Sequence, residues 1–256
     1  MSNEQGYVIV ALQHDTHDYV ACARKLAQSL HHWHPQAMVC LITDQDLEPD
    51  QDFAFVEKIT RSDPTNAWAD DWQIFYRTPF KENIKLEADM LIASPIDHWW
   101  TLFRLKDVVI STGCRNWRDQ VSPDRSYRKA FDQNHLPDVY NAVTYWRLST
   151  TAKEFFDLVR DIFQQWNNYR RCIKFAEEIP STDLVYAIAA QMLGPERVTL
   201  PFVDYPKIVH MKRQHAGTKT HDWTRELVWE YHHGQLRVQT QAQWGAFHYH
   251  IKHWQP

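Results

Sequence analysis

The chain has 256 residues, 44% of them hydrophobic, which suffices for one substantial core or two tightly joined lobes. Its net charge of -4 provides no bulk attraction for nucleic acid, so any such partner would need a local basic cluster. Six scattered glycines exclude a glycine-rich phosphate loop, and no stretch has membrane-spanning length or signal-peptide character, so a cytoplasmic protein is expected.

Residues 7–12 form a short apolar run that predicts a buried strand. Asp15 is the expected cap of a helix over 17–33, where Tyr19, Cys22, Ala23, Leu26, Ala27 and Leu30 recur at helical spacing. Strands follow at 38–43 and 53–59, then a helix at 68–76 that stops before Pro79. A strand at 84–87 leads into a helix at 96–105 and a strand at 108–111. Residues 115–134 read as an irregular polar lid or acceptor loop. A strand at 139–147 precedes helices at 151–169 and 183–193, with strand-like pieces near Val198, Ile208 and Arg237. This alternation predicts an α/β fold with a mostly parallel sheet, whose ligands sit beyond the carboxyl ends of the strands. The four cysteines lack metal spacing, and Cys22 and Cys40 read as reduced core residues. Twelve tryptophans could line a pocket for a sugar or base, but for most a place in the core or an interface is expected.

One strand end carries chemistry. Glu87 and Asp89 alternate with Leu86 and Ala88, so at strand period both carboxylates point to one side. Adjacent acids repel unless a cation lies between them, and hard oxygen ligands suit Mg²⁺ or Mn²⁺. An ion held this way clamps a substrate diphosphate. The plainer reading is a strand end capped by solvated acids.

Four pieces, in order, extend the pattern. They are the first strand and helix, the approach from Arg77-Thr78-Pro79-Phe80-Lys81 to Leu86-Glu87-Ala88-Asp89, the strand Tyr140-Asn141-Ala142-Val143, and the helix start Ser181-Thr182-Asp183. Together they resemble glycosyltransferases of the GT-A fold, closest in pattern to the retaining, glycogenin-like group and similar to glycosyltransferases of tailed phages. The resemblance implies one catalytic domain over 1–256, with a nucleotide-binding half at 1–112 and an acceptor and carboxyl-terminal half at 113–256. It implies an Mn²⁺ or Mg²⁺ ion held by Asp89, Glu87 and a late histidine. His210 is favoured for that role because it follows an apolar strand and carries Lys212 two residues on, and His248 is the reserve. A nucleotide-sugar donor, first of all a UDP-sugar, would meet Ala11, Gln13, His14, Lys85, Glu87 and Lys212. Asp183 and Asn141 would act at the sugar, although Asp183 also fits an ordinary helix cap with Ser181. Two departures stand out: Glu87 replaces the motif's first aspartate, and Ala142-Val143 replace its small residue and glycine.

The phage likeness implies DNA bearing hydroxylated or hydroxymethylated cytosine as an acceptor. Arg115, Arg118, Arg125, Arg128 and Lys129, with Trp117 and Tyr127, could track a backbone and stack a displaced base. Arg170, Arg171 and Lys174 form a second basic set. The plainer reading is a solvated surface balanced by Asp119, Asp124 and Asp132. Glycan, protein and small-molecule acceptors stay open, as does the oligomeric state. Two rival readings are a nucleotidyltransferase, for which 13–15 is a poor first loop, and a metal-free sugar or nucleic-acid binding module.

Overall fold

In the computed structural model the described residues are 3–63, 66, 68–121, 128–201, 206–254 and 256. In chain order the strands are β1 (Asn3–Val10), β2 (Val39–Thr43), β3 (Phe55–Lys58), β4 (Phe80–Glu87), β5 (Met90–Ile92) and β6 (Val108–Thr112). They continue with β7 (Val139–Arg147), β8 (Ile208–His210), β9 (Trp229–His232), β10 (Gln235–Val238), β11 (Gln241–Ala242) and β12 (Ala246–His248).

Six strands form the central sheet, in the order β3-β2-β1-β4-β7-β6. β1 lies parallel to β2 and β4, β2 lies parallel to β3, and β7 runs antiparallel to β4 and β6. The continuous apolar run of β1 is that of a strand covered on both faces. Val8 and Val10 join a cluster with Phe155, Phe156 and Tyr186 from the helices Thr150–Gln164 and Thr182–Leu193. Tyr7 and Ile9 point the other way, into a cluster with Leu26, Leu30 and Trp99 from the helices Tyr19–Trp33 and His98–Phe103.

Several boundaries differ from the sequence expectation for local reasons. The first long helix starts at Tyr19 and is capped by Asp18, not Asp15, because the Asp18 carboxylate accepts from the Ala21 N–H at 2.8 Å. The helix expected over 68–76 is a 3₁₀ turn at Asp71–Gln73 followed by one α-helical turn at Ile74–Arg77. The helix expected over 151–169 breaks at Gln165 into Thr150–Gln164 and Trp166–Cys172. Val198 ends a short helix, Pro195–Val198, with proline at its start, rather than lying in a strand.

Two small sheets are built mostly from the carboxyl-terminal segment, β11-β10-β9 and β5-β12-β8, the second of which takes in β5 from the middle of the chain. They pack through a third apolar cluster that includes Val209, Trp223, Phe247, Tyr249 and Trp254. Among the described residues no helix is long and apolar enough to cross a membrane.

Gly6 lies on β1 opposite Asn83 of β4, and the Phe80 ring rests on it. A Cβ there would come within 2.3 Å of that buried ring. Gly6→Ala is therefore expected to lower unfolding stability by about 1–3 kcal/mol through overpacking, read from a denaturant midpoint.

Candidate functional site

β4 ends at Glu87, and a turn at Ala88 and Asp89 feeds β5. The two carboxylates therefore converge through a turn, not through strand alternation past residue 87. β12 then decides which histidine meets them. It pairs antiparallel with β5, setting His248 opposite Met90, and parallel with β8, setting His248 opposite His210. His248 Nε2 lies 3.0 Å from Asp89 Oδ2 and 3.3 Å from Glu87 Oε2. His210 sits one strand further out, its ring centroid 4.7 Å from that of His248.

Two residues given no role by the sequence reading complete the group. Lys252 forms an ion pair with Asp89. His250 stacks on His248 with centroids 3.7 Å apart, and its Nε2 is 2.9 Å from His210 Nδ1. The signal for them was the spacing within His248-Tyr249-His250-Ile251-Lys252, which carries three polar groups where the favoured segment around His210 carries two.

Burial raises the Glu87 carboxyl above its usual range, with His248 opposing and Asp89 adding to the rise. Burial pushes Asp89 the same way, but the charges and hydrogen bonds of His248 and Lys252 outweigh it and hold that carboxyl below its usual range. Burial, then the neighbouring His248, keeps His210 and His250 well below the ordinary imidazole range, so both stand neutral. One ligand atom from each of Glu87, Asp89 and His248 lies within 4.8 Å of the others. Two carboxylates and one imidazole are a hard, oxygen-rich set that fits Mn²⁺ or Mg²⁺.

The group lines a cleft of about 200 Å³ at the carboxyl end of β1 and β4, the place an open α/β sheet reserves for ligands. Lys85 and Glu87 both face it because β4 stays regular from Phe80 to Glu87. Lys85 is buried and ion-paired to Asp71 at 3.0 Å, and Asp71 also accepts from the Tyr186 hydroxyl. Asn141 lies in this same buried layer, its amide 3.4 Å from Asp71 and its oxygen accepting from Thr144 at 3.2 Å.

Asp183 lines the cleft, but its carboxylate is already engaged. It accepts from the Asn141 N–H at 2.8 Å and from Arg128 at 3.4 Å, while Ser181 caps the helix. Lys212 stands on the cleft wall just before the helical turn Arg213–Ala216.

The residues just after the first strand are held by neighbours within the fold. Ala11 is buried and donates to the Ile42 carbonyl, and the Gln13 N–H donates to Asp44. His14 stacks on His17 and meets Tyr19 edge-on. The wall on this side is Val10, Tyr19 and Trp68, with the Tyr19 and Trp68 rings 6.2 Å apart and nearly perpendicular.

The four proposed acceptor arginines separate. Arg128 is a correction: it is buried, 3.0 Å from Asp138 and 3.4 Å from Asp183, and lies over the rings of Phe131 and Tyr140. A guanidinium held between two carboxylates and two rings faces no external polyanion. Arg115 donates to the Asp119 carbonyl and pairs with its carboxylate at 3.4 Å. The Arg118 guanidinium lies 4.3 Å from the Trp117 ring centroid. Arg125, with Tyr127, falls outside the described residues.

No protein-family model matches the sequence, and no curated protein matches it. Solved structures do match. Mouse xyloside xylosyltransferase 1 aligns with a TM-score of 0.54 at 10% identity, covering 99% of this chain and 100% of that one. The apo form of the glycosyltransferase GlyE of Streptococcus pneumoniae TIGR4 aligns at 0.51 and 13%, covering 99% of this chain and 56% of that one. This chain thus spans about half the length of GlyE. An active-site mutant of LgtC aligns at 0.51 and 13%, covering 96% of this chain and 87% of that one. At such identities the likeness is one of fold: this chain has the GT-A glycosyltransferase fold.

Proposed function

We propose that the chain is a metal-dependent glycosyltransferase that moves a sugar from a nucleotide-sugar donor to an acceptor hydroxyl. The observation that carries this reading is the meeting of Glu87, Asp89 and His248 with Lys212 and Lys252 in one cleft at the strand ends. Mn²⁺ or Mg²⁺ bound there would supply Lewis-acid assistance and neutralise charge on the departing diphosphate.

Asp89, Glu87 and His248 would hold the ion. Lys252 and Lys212 are point charges on the same wall, suited to the diphosphate oxygens. The bond from the anomeric carbon to the diphosphate oxygen breaks with its electron pair on the diphosphate. The acceptor oxygen forms the new bond and passes its proton to the departing diphosphate oxygen. Asp183, fixed by Asn141 and Arg128, offers a rigid carboxylate to sugar hydroxyls rather than a mobile base. Tyr19 and Trp68 present an apolar wall for the base, and a UDP-sugar is the donor to try first. Retention of anomeric configuration is assigned from the glycogenin-like sequence pattern. With Arg128 buried, acceptance by hydroxylated or hydroxymethylated cytosine in phage DNA rests on the other basic residues, Arg115, Arg118, Arg125 and Lys129 first among them, and a modified-cytosine duplex belongs in the acceptor panel.

Calorimetric titration with a nucleoside diphosphate tests the site. The wild-type chain is expected to bind it in Mn²⁺ and to lose that binding in chelator. His248→Ala is expected to weaken it by about 10–100-fold or more, the loss seen when support for a bound metal is removed. His210→Ala is expected to do much less. The opposite ranking would return the ligand role to His210.

A further inference from the structure

A thiol and two imidazoles converge beside the cleft, and the proposed sugar transfer gives none of the three a task. Cys114, His210 and His215 are all buried, and one ligand atom of each lies within 4.8 Å of the others. Cys114 Sγ is 3.8 Å from His215 Nε2. In tetrahedral zinc, with Zn–S near 2.3 Å and Zn–N near 2.0 Å, the sulfur–nitrogen edge is about 3.5 Å. The observed pair is already close to that edge.

The frame behind these residues is stitched together. Cys114 follows β6, His210 ends β8, and His215 sits in the turn Arg213–Ala216. The Arg115 N–H donates to the Ile208 carbonyl at 2.9 Å, and the His210 N–H donates back to the Arg115 carbonyl at 2.8 Å. The His215 N–H donates to the Lys212 carbonyl at 2.8 Å, and the Trp117 indole N–H reaches the Ala216 carbonyl at 3.0 Å. Two segments distant in sequence thus hold their ligand-type side chains on one hydrogen-bonded backbone, the preorganisation that a metal centre requires.

We propose that Cys114, His210 and His215 form a zinc site separate from the Glu87, Asp89 and His248 group. A thiolate with two imidazoles is a borderline-soft donor set that suits Zn²⁺, whereas the carboxylate group suits Mn²⁺ or Mg²⁺. On binding, the Cys114 Sγ–H bond gives its proton to solvent and its electron pair forms the Sγ–Zn bond, while both imidazoles coordinate as neutral ligands. Three protein ligands leave a fourth position for water. The nearby Arg128 guanidinium is countered by Asp138 and Asp183, so it does not leave a bare cation facing the ion. The consequence for the cleft is mechanical. His210 packs against His248 and His250, and Lys212 is three residues before His215, so zinc would pin both to β8 and to the Cys114 segment.

The test uses the full chain, stripped with chelator and reloaded with Co²⁺, and no nucleotide. The wild type is expected to show a saturable thiolate-to-cobalt charge-transfer band that is displaced by Zn²⁺. Zn²⁺ is also expected to raise the melting temperature. Cys114→Ser should lose both the band and the zinc-dependent shift, and His215→Ala should weaken both. Asp89→Asn should keep them, because it lies in the other group. A wild-type chain without the band would overturn the proposal, as would a band that survives Cys114→Ser. If Cys114→Ser does not fold, retention of the full band and shift in His215→Ala overturns it instead. Because no donor is present, failure here leaves the sugar-transfer reading intact, and failure of sugar transfer leaves the zinc site to be judged on its own.

Discussion

Asp89→Asn is expected to lower sugar transfer by about 10³-fold or more, the equivalent of several kcal/mol of lost leaving-group stabilisation. An amide keeps the shape of the side chain but loses the charge that faces His248 and Lys252. Both kcat and donor affinity should fall, because the same oxygen serves the ion in the ground state and as the diphosphate departs. The fold should survive, since the Asp89 side chain belongs to neither of the two apolar clusters on the faces of the central sheet. Initial rates with saturating Mn²⁺, alongside a denaturant titration, separate the two effects. Unchanged rates in a folded variant would remove Asp89 from the site.

The largest effect on stability is expected one layer deeper. Lys85 and Asp71 form an ion pair with side chains 3% and 1% exposed, and Asp71 also accepts from Tyr186 and Asn141. Removing one partner of such a pair leaves a buried charge uncompensated, which costs about 3–5 kcal/mol. Asp71→Ala is therefore expected to destabilise by about that amount, read from denaturant midpoints at constant slope. Pairing it with Lys85→Met should recover only part of the loss, because Tyr186 and Asn141 still lack their acceptor. A double variant no more stable than the single one would show that Lys85 is not the charge that Asp71 compensates.

The central sheet was legible because its strands and helices are long enough to show their period. Tyr7 to Val10 is apolar throughout because both faces of the sheet are covered, and the helical spacing from Cys22 to Leu30 follows the one face on which that helix packs. The small sheet β5-β12-β8 was not legible in that way. β5, β8 and β12 have three residues each, too few for an alternation to register, and their partnership depends on register. The two late histidines were therefore both visible, but their ranking was not. Only the pairing of β12 with β5 puts His248 against the acids and moves His210 one strand away. Arg128 failed for a related reason. Its partner Asp183 is 55 residues distant, and a basic residue in a polar stretch gives no local sign that it will be buried. Asp15 and Asp18 are equally plausible caps by type, and the backbone chose the one whose carboxylate reaches the Ala21 N–H.

The central claim, metal-dependent transfer from a nucleotide sugar, is tested most directly by incubating the chain with a panel of nucleotide sugars, with Mn²⁺ and with chelator. Mass spectrometry of the products reads the outcome. One donor, a UDP-sugar first among them, is expected to release its nucleoside diphosphate in Mn²⁺ and not in chelator, and Asp89→Asn and His248→Ala should release none above background. Donors left intact under every condition, or binding that is unchanged in chelator, would contradict the account and favour a binding module built on the same fold.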